Sequence, residues 1–155
     1  DAGVIRGCST GHKGRAARMG RLSAFIGSYY VARVIDDRRA AAQSRFEGRA
    51  VLSLSSSGAV YRETGALILN GQRFVAERSY LWHEDGGRIW VRFADGREFH
   101  DFDPKIGGLA SAHLCGADMY RGGYELSDWP RWSVTWDVSG PRKDYRSITT
   151  YMPAE

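Results

Sequence analysis

His113, Cys115, Asp118 and Tyr120 fall within the run His113-Leu114-Cys115-Gly116-Ala117-Asp118-Met119-Tyr120. Residues two apart on a strand point the same way, so the imidazole and the thiol share a face. Gly116-Ala117 can turn the chain and return Asp118 towards them. A thiol or phenol, an imidazole and an orienting carboxylate are the parts of nucleophilic or proton-transfer chemistry. On that reading the protein is a small-molecule enzyme of hydrolase or isomerase type. His113 would act as acid–base, Asp118 would orient it, and Cys115 or Tyr120 would supply the nucleophile or proton. A plainer reading makes Cys115 a small core hydrophobe and the histidines hydrogen-bonded wall residues. His100 adds a metal alternative. If the 103–110 connection closes the simplest hairpin, His100 lies across from His113, and the two could hold zinc or haem iron. No CxxC or HExxH motif accompanies them, so no cofactor is expected.

A second set of polar residues is recognised by parity. Arg33 is in phase with Tyr29 and Val31, and Glu63 with Tyr61, Leu67 and Leu69. Arg78 is in phase with Phe74, Ala76, Tyr80 and Trp82. Further along, Tyr120 and Tyr124 share a phase, and Trp136 lies between Val134 and Val138 in another. Charges on inward faces must pair or bind something, because an unpartnered buried charge is very costly. The Asn70-Gly71 turn is of the two-residue type, which sets Glu63 directly opposite Arg78. The principal reading is therefore a cavity for a small, partly polar or anionic ligand. Arg33, Arg78 and Tyr80 would meet its acidic end, with Glu63 balancing charge. Tyr120, Tyr124 and Trp136 would form apolar walls, and His100 and His113 would add polar contacts. Lys143, beside Arg142 in the Gly140-Pro141 turn, can clamp a carboxylate or phosphate.

The elements that must position these residues are strands. Turn signals recur at Ser57-Gly58, Asn70-Gly71, Asp85-Gly86-Gly87, Asp95-Gly96 and Ser139-Gly140-Pro141. Between them, aromatic and β-branched residues alternate with polar ones. Ten strands are predicted, near 25–36, 45–55, 59–69, 72–83, 87–94, 97–102, 109–115, 118–126, 131–138 and 144–152. A helical turn is possible at Gly20–Phe25. One-sided strands in meander order favour an all-β, up-and-down antiparallel barrel, since closure removes exposed edges. About eight strands already leave room for one small ligand.

Composition sets the outer limits. The chain has 155 residues, 43% hydrophobic and 26% charged, as in an ordinary folded domain. Its net charge of +4 is concentrated in residues 1–18, where Arg6, Lys13, Arg15 and Arg18 face only Asp1. These residues are expected to be a disordered basic extension, and 19–155 a single barrel domain. The near-neutral body argues against a nucleic-acid surface. No apolar run is long enough to span a membrane. With Cys8 in the extension, the body holds one thiol, which suits a reducing cytoplasm.

The stretches FIGSYYVARVIDD, RFEGRAVL, YRETG, AERSYLW, DGREFHDF, HLCGADMY and WDVSGPRKDY occur in this order between Phe25 and Tyr151. In order and spacing they resemble an uncharacterised family, domain of unknown function 6314. Its members look like calycin-type barrels, the group of lipocalins and fatty-acid-binding proteins. The resemblance implies that fold and, by analogy, small-molecule binding. One departure is local. The family tends to carry tryptophan two residues after the first-strand glycine, and here Tyr29 follows Gly27. A buried tyrosine at the barrel base needs a partner for its hydroxyl.

Overall fold

The computed structural model describes residues 21–154; the expected basic extension lies outside them. A 3-10 turn, Leu22–Phe25, leads into β1 (Gly27–Asp37), β2 (Ala42–Ser55), β3 (Gly58–Leu69) and β4 (Gln72–Asp85). Then follow β5 (Arg88–Phe93), β6 (Glu98–Phe102), β7 (Gly108–Leu109) and β8 (His113–Cys115). The order ends with β9 (Asp118–Glu125), β10 (Trp132–Ser139) and β11 (Asp144–Ala154). All pairings are antiparallel, and the sheet runs β6-β5-β4-β3-β2-β1-β11-β10-β9, with β7 and β8 both on β9. First and last strands pair along their length, from Ser28 opposite Ala154 to Asp37 opposite Tyr145. The result is a nearly closed antiparallel barrel of calycin type. No helix among the described residues is long and apolar enough to cross a membrane.

Strand alternation sets the two faces. In β1, Tyr29, Val31 and Arg33 are buried while Tyr30, Ala32 and Val34 are exposed. The Asn70-Gly71 turn, with both residues at positive φ, fixes the β3–β4 register and sets Glu63 opposite Arg78 as expected.

Two features differ from the sequence reading. The strand predicted over 109–115 is split. Ala110 donates its N–H to Gly122, but Ser111 turns to β6, donating to the Asp101 carbonyl while its hydroxyl accepts from the Asp101 N–H. The chain returns to β9 at His113. This exchange of partners closes the seam of the barrel. It also corrects the expected pairing of His100 with His113: the seam joins Asp101 to Ser111, one residue off that register, and His113 opposes Tyr120 on β9. Phe99 packs on His113, with ring centroids 5.7 Å apart. The second feature is a bulge between β5 and β6 at Val91/Arg92. A bulge re-aims side chains, and consecutive Phe99 and His100 are both buried.

The barrel base is plugged by rings. Phe25 packs edge-on against Trp129 at 4.9 Å and Trp132 at 5.3 Å, with Trp82 at 5.7 Å. Tyr29 donates its hydroxyl to the Phe25 carbonyl at 2.6 Å, so the departure from tryptophan is met by a local bond. Burial pushes that hydroxyl's pKa up to about 12, keeping it a donor. Tyr29→Phe strands the carbonyl in the core. It is expected to cost about 1–3 kcal/mol in urea denaturation; an unchanged midpoint would show the bond to be dispensable.

Candidate functional site

A cavity of about 290 Å³ occupies the barrel interior between the plugged base and the open end. Its polar side is built on β1, β3, β4 and β11. Glu63 is 1% exposed and receives three hydrogen bonds and a further ion pair. Arg33 grips it bidentately, Nη1 to Oε2 at 2.9 Å and Nη2 to Oε1 at 2.7 Å. Tyr61 donates to Oε1 at 2.6 Å, and the Arg78 Nε lies 3.0 Å from Oε2. Arg33 and Tyr61 thus supply the hydrogen bonds to Glu63, and Arg78 is held by charge alone. Arg33 is further tied by Nε to the Thr149 hydroxyl at 2.7 Å.

The proton order of the tyrosines follows. Burial acts to raise the pKa of Glu63, but Arg33, Arg78 and Tyr61 outweigh it and hold the group below the usual carboxylate range. An ionised Glu63 only accepts, so the Tyr61 proton is spent on it. The 2.8 Å contact between the Tyr61 and Tyr151 hydroxyls is then Tyr151 donating to Tyr61. Burial keeps both phenols protonated by raising their pKa values.

One carboxylate thus serves two guanidinium groups. Burial acts against the charge on both, and their contacts overcome it, raising the pKa of each. Arg33 is 6% exposed and committed to Glu63 and Thr149. Arg78 differs. Its Nη atoms have no hydrogen-bond partner among the described residues, and 44% of its side chain is open, in a residue that lines the cavity. Its guanidinium stands over the Tyr80 ring at 5.4 Å.

The opposite walls are aromatic. Phe99 stacks between Phe93, at 4.7 Å and 15°, and Trp136, at 5.1 Å and 23°. Trp136 lies against Gly122, where an added Cβ would come within 2.7 Å of the indole. His100 joins its Nε2 to the Tyr124 hydroxyl at 2.7 Å. Burial pushes its pKa down to about 3, so the imidazole is neutral at pH 7.

Of the residues singled out in the sequence, Arg33, Arg78, Tyr80 and His100 line the cavity, as do Tyr120, Tyr124 and Trp136. Glu63 sits behind the two arginines. Lys143 stands outside the lining, 3.5 Å from both Asp118 and the Tyr120 hydroxyl. His113 is outside as well, packed on Phe99 and Phe93. The β8–β9 register sets His113 opposite Tyr120 and Cys115 opposite Asp118, so the four share one face of their hairpin. No hydrogen bond links them, however, and the Asp118 carboxylate is engaged by Lys143. His100 and His113 line one small cleft, and the His100 Nε2 is taken up by the Tyr124 hydroxyl.

Sequence reasoning missed the β11 contribution. Tyr145, Ser147, Thr149 and Tyr151 alternate along the strand and all line the cavity. Their period-two run of aromatic and hydroxyl residues was the available signal.

Comparison with curated proteins gives no match. Among solved structures, the chain is similar to the S-type phycobiliprotein lyase CPES from Guillardia theta. The TM-score is 0.60 at 7% identity, covering 88% of this chain and 96% of that one. At that identity the likeness establishes the barrel fold alone. The family model for DUF6314 matches residues 25–153, and the chain belongs to this family of unknown function.

Proposed function

We propose that the protein binds a small organic ligand inside the barrel, with the ligand's negative or oxygen-rich end on Arg78. The single observation that carries this is the shared carboxylate. Glu63 takes its hydrogen bonds from Arg33 and Tyr61 and holds Arg78 by an ion pair alone, so the Arg78 Nη donors are unspent and open to a cavity. Tyr80, Tyr120, Tyr124 and Trp136 enclose the apolar part, in the usual pattern of apolar walls with a few placed polar groups. The likeness to a phycobiliprotein lyase supports a barrel adapted to act on another molecule, as an analogy of fold. Cytoplasmic residence accords with the free thiol of Cys115.

The test is native mass spectrometry of protein purified from its own host, with thermal shifts across a metabolite library. A bound small molecule, or a library member that raises Tm, is the expected result. Arg78→Met keeps the Arg33–Glu63 pair and should weaken that binding ~10–100-fold, the worth of a hydrogen bond to a charged group. An empty protein with no shift anywhere in the library overturns the proposal.

A further inference from the structure

We infer that the cavity selects flat aromatic acids carrying a single negative charge, and discriminates against dianions and flexible chains. The inference rests on the ligand-binding reading above and adds the class of ligand. It follows first from charge balance. Arg33 and Arg78 against Glu63 leave one net positive charge, and it resides on Arg78. Among the described residues, the other groups near the cavity supply no second cation. His100 is neutral. Asp37, at the open end, is negative and already accepts from the Arg39 and Ala40 N–H groups. Lys143 lies outside, against Asp118. A second negative charge on the ligand would therefore be desolvated among aromatic rings, or would face Asp37, with nothing to compensate it.

The shape of the walls supplies the second half. The Phe93–Phe99–Trp136 row is nearly parallel, and Gly122 lets the Trp136 ring lie directly on the β9 backbone. With its faces taken up by one another and by Gly122, the row turns ring edges to the cavity. Edges favour edge-to-face contact with a rigid ring system, worth more than its area alone. An alkyl chain of equal area must also give up its rotamer freedom. A volume of about 290 Å³ suits a compact body.

Isothermal titration calorimetry at pH 7.5 with five probes tests this. They are naphthalene-2-carboxylate, its neutral carboxamide, naphthalene-2,6-dicarboxylate, 2-naphthyl phosphate and decanoate. The monocarboxylate should bind at least ~10-fold more tightly than each of the others, the equivalent of ~1.4 kcal/mol. In Arg78→Met the carboxylate should fall to the affinity of the carboxamide, whose own affinity stays unchanged. Tighter binding of the phosphate, the dicarboxylate or decanoate overturns the inference. So does equal binding of acid and amide by the unaltered protein. If no naphthalene probe binds while the host-purified protein carries a ligand, the inference fails and the binding reading stands. If the protein is also empty and silent across the library, both fail.

Discussion

Glu63→Ala is expected to destabilise the barrel by about 3–5 kcal/mol, because it leaves Arg33 as a buried, unpaired cation beside Arg78. Glu47→Ala removes an exposed carboxylate on the outer face of β2 and should lie within about 0.5 kcal/mol of the unaltered protein. Urea denaturation of the two variants makes the comparison. Should Glu63→Ala fail to fold, Glu63→Gln keeps the shape and removes the charge, and still gives a measurable midpoint. A double-mutant cycle of Glu63→Gln with Arg33→Met should show strong coupling; additivity of the two losses sinks the network. The same network makes stability depend on pH. The folded pKa of Glu63 is held below its unfolded value of about 4.5. Its contribution is therefore present above that unfolded value and is lost as pH falls through the folded one. Acid titration should show a drop in stability below about pH 4.5 that Glu63→Gln lacks.

Gly65→Val is the second large effect. Gly65 and Gly48 face one another across β2 and β3, and the Phe46 ring lies against both. A Cβ on Gly65 would stand 2.6 Å from the Gly48 Cα and 2.8 Å from the Phe46 Cζ. The nearest atom of all is the Glu47 carbonyl oxygen, so the β2–β3 ladder must open locally and Phe46 must move as well. The Arg33 guanidinium, 5.1 Å from the centre of that ring, moves with it. Overpacking commonly costs about 1–3 kcal/mol, and displacing the arginine from Glu63 should bring the loss to at least ~3 kcal/mol. Thr64→Val, one residue away and facing out, should change the urea midpoint little. A Gly65→Val protein as stable as the Thr64→Val control would show that Phe46 and Arg33 are not held as described.

Local rules reached part of this site. Alternation and the Asn70-Gly71 turn are short-range signals, and they put Arg33, Glu63, Arg78 and Trp136 on the inner face and Glu63 opposite Arg78. They could not show that the principal partner of Glu63 is Arg33. Those two residues come from strands separated by β2, and Arg33 reaches Glu63 past a strand whose intervening residues, Gly48 and Ala50, are small. Parity reports a face and says nothing of reach across a neighbour. Likewise, the bulge that turns Phe99 inward beside His100 breaks the period on which the reading relied. The simplest hairpin rule brought 97–102 beside 109–115. It could not show the one-residue shift that joins Ser111 to Asp101, or the return of the chain to β9 at His113.

The pairing of β1 with β11 also bears on how the chain reaches this state. Residues 27–37 and 144–154 are the two ends of the described fold, so the ladder that completes the barrel is its most non-local contact. Such contacts form late, because the loop must be closed before they repay the entropy. During synthesis, β1–β6 can assemble as an open sheet, with Arg33 able to find Glu63 early. Thr149 and Tyr151, which complete the polar cluster, arrive only with the last strand. Until then Tyr61, Trp82 and Phe46 have no opposite wall, and the growing chain presents a curved aromatic surface of the kind chaperones shield.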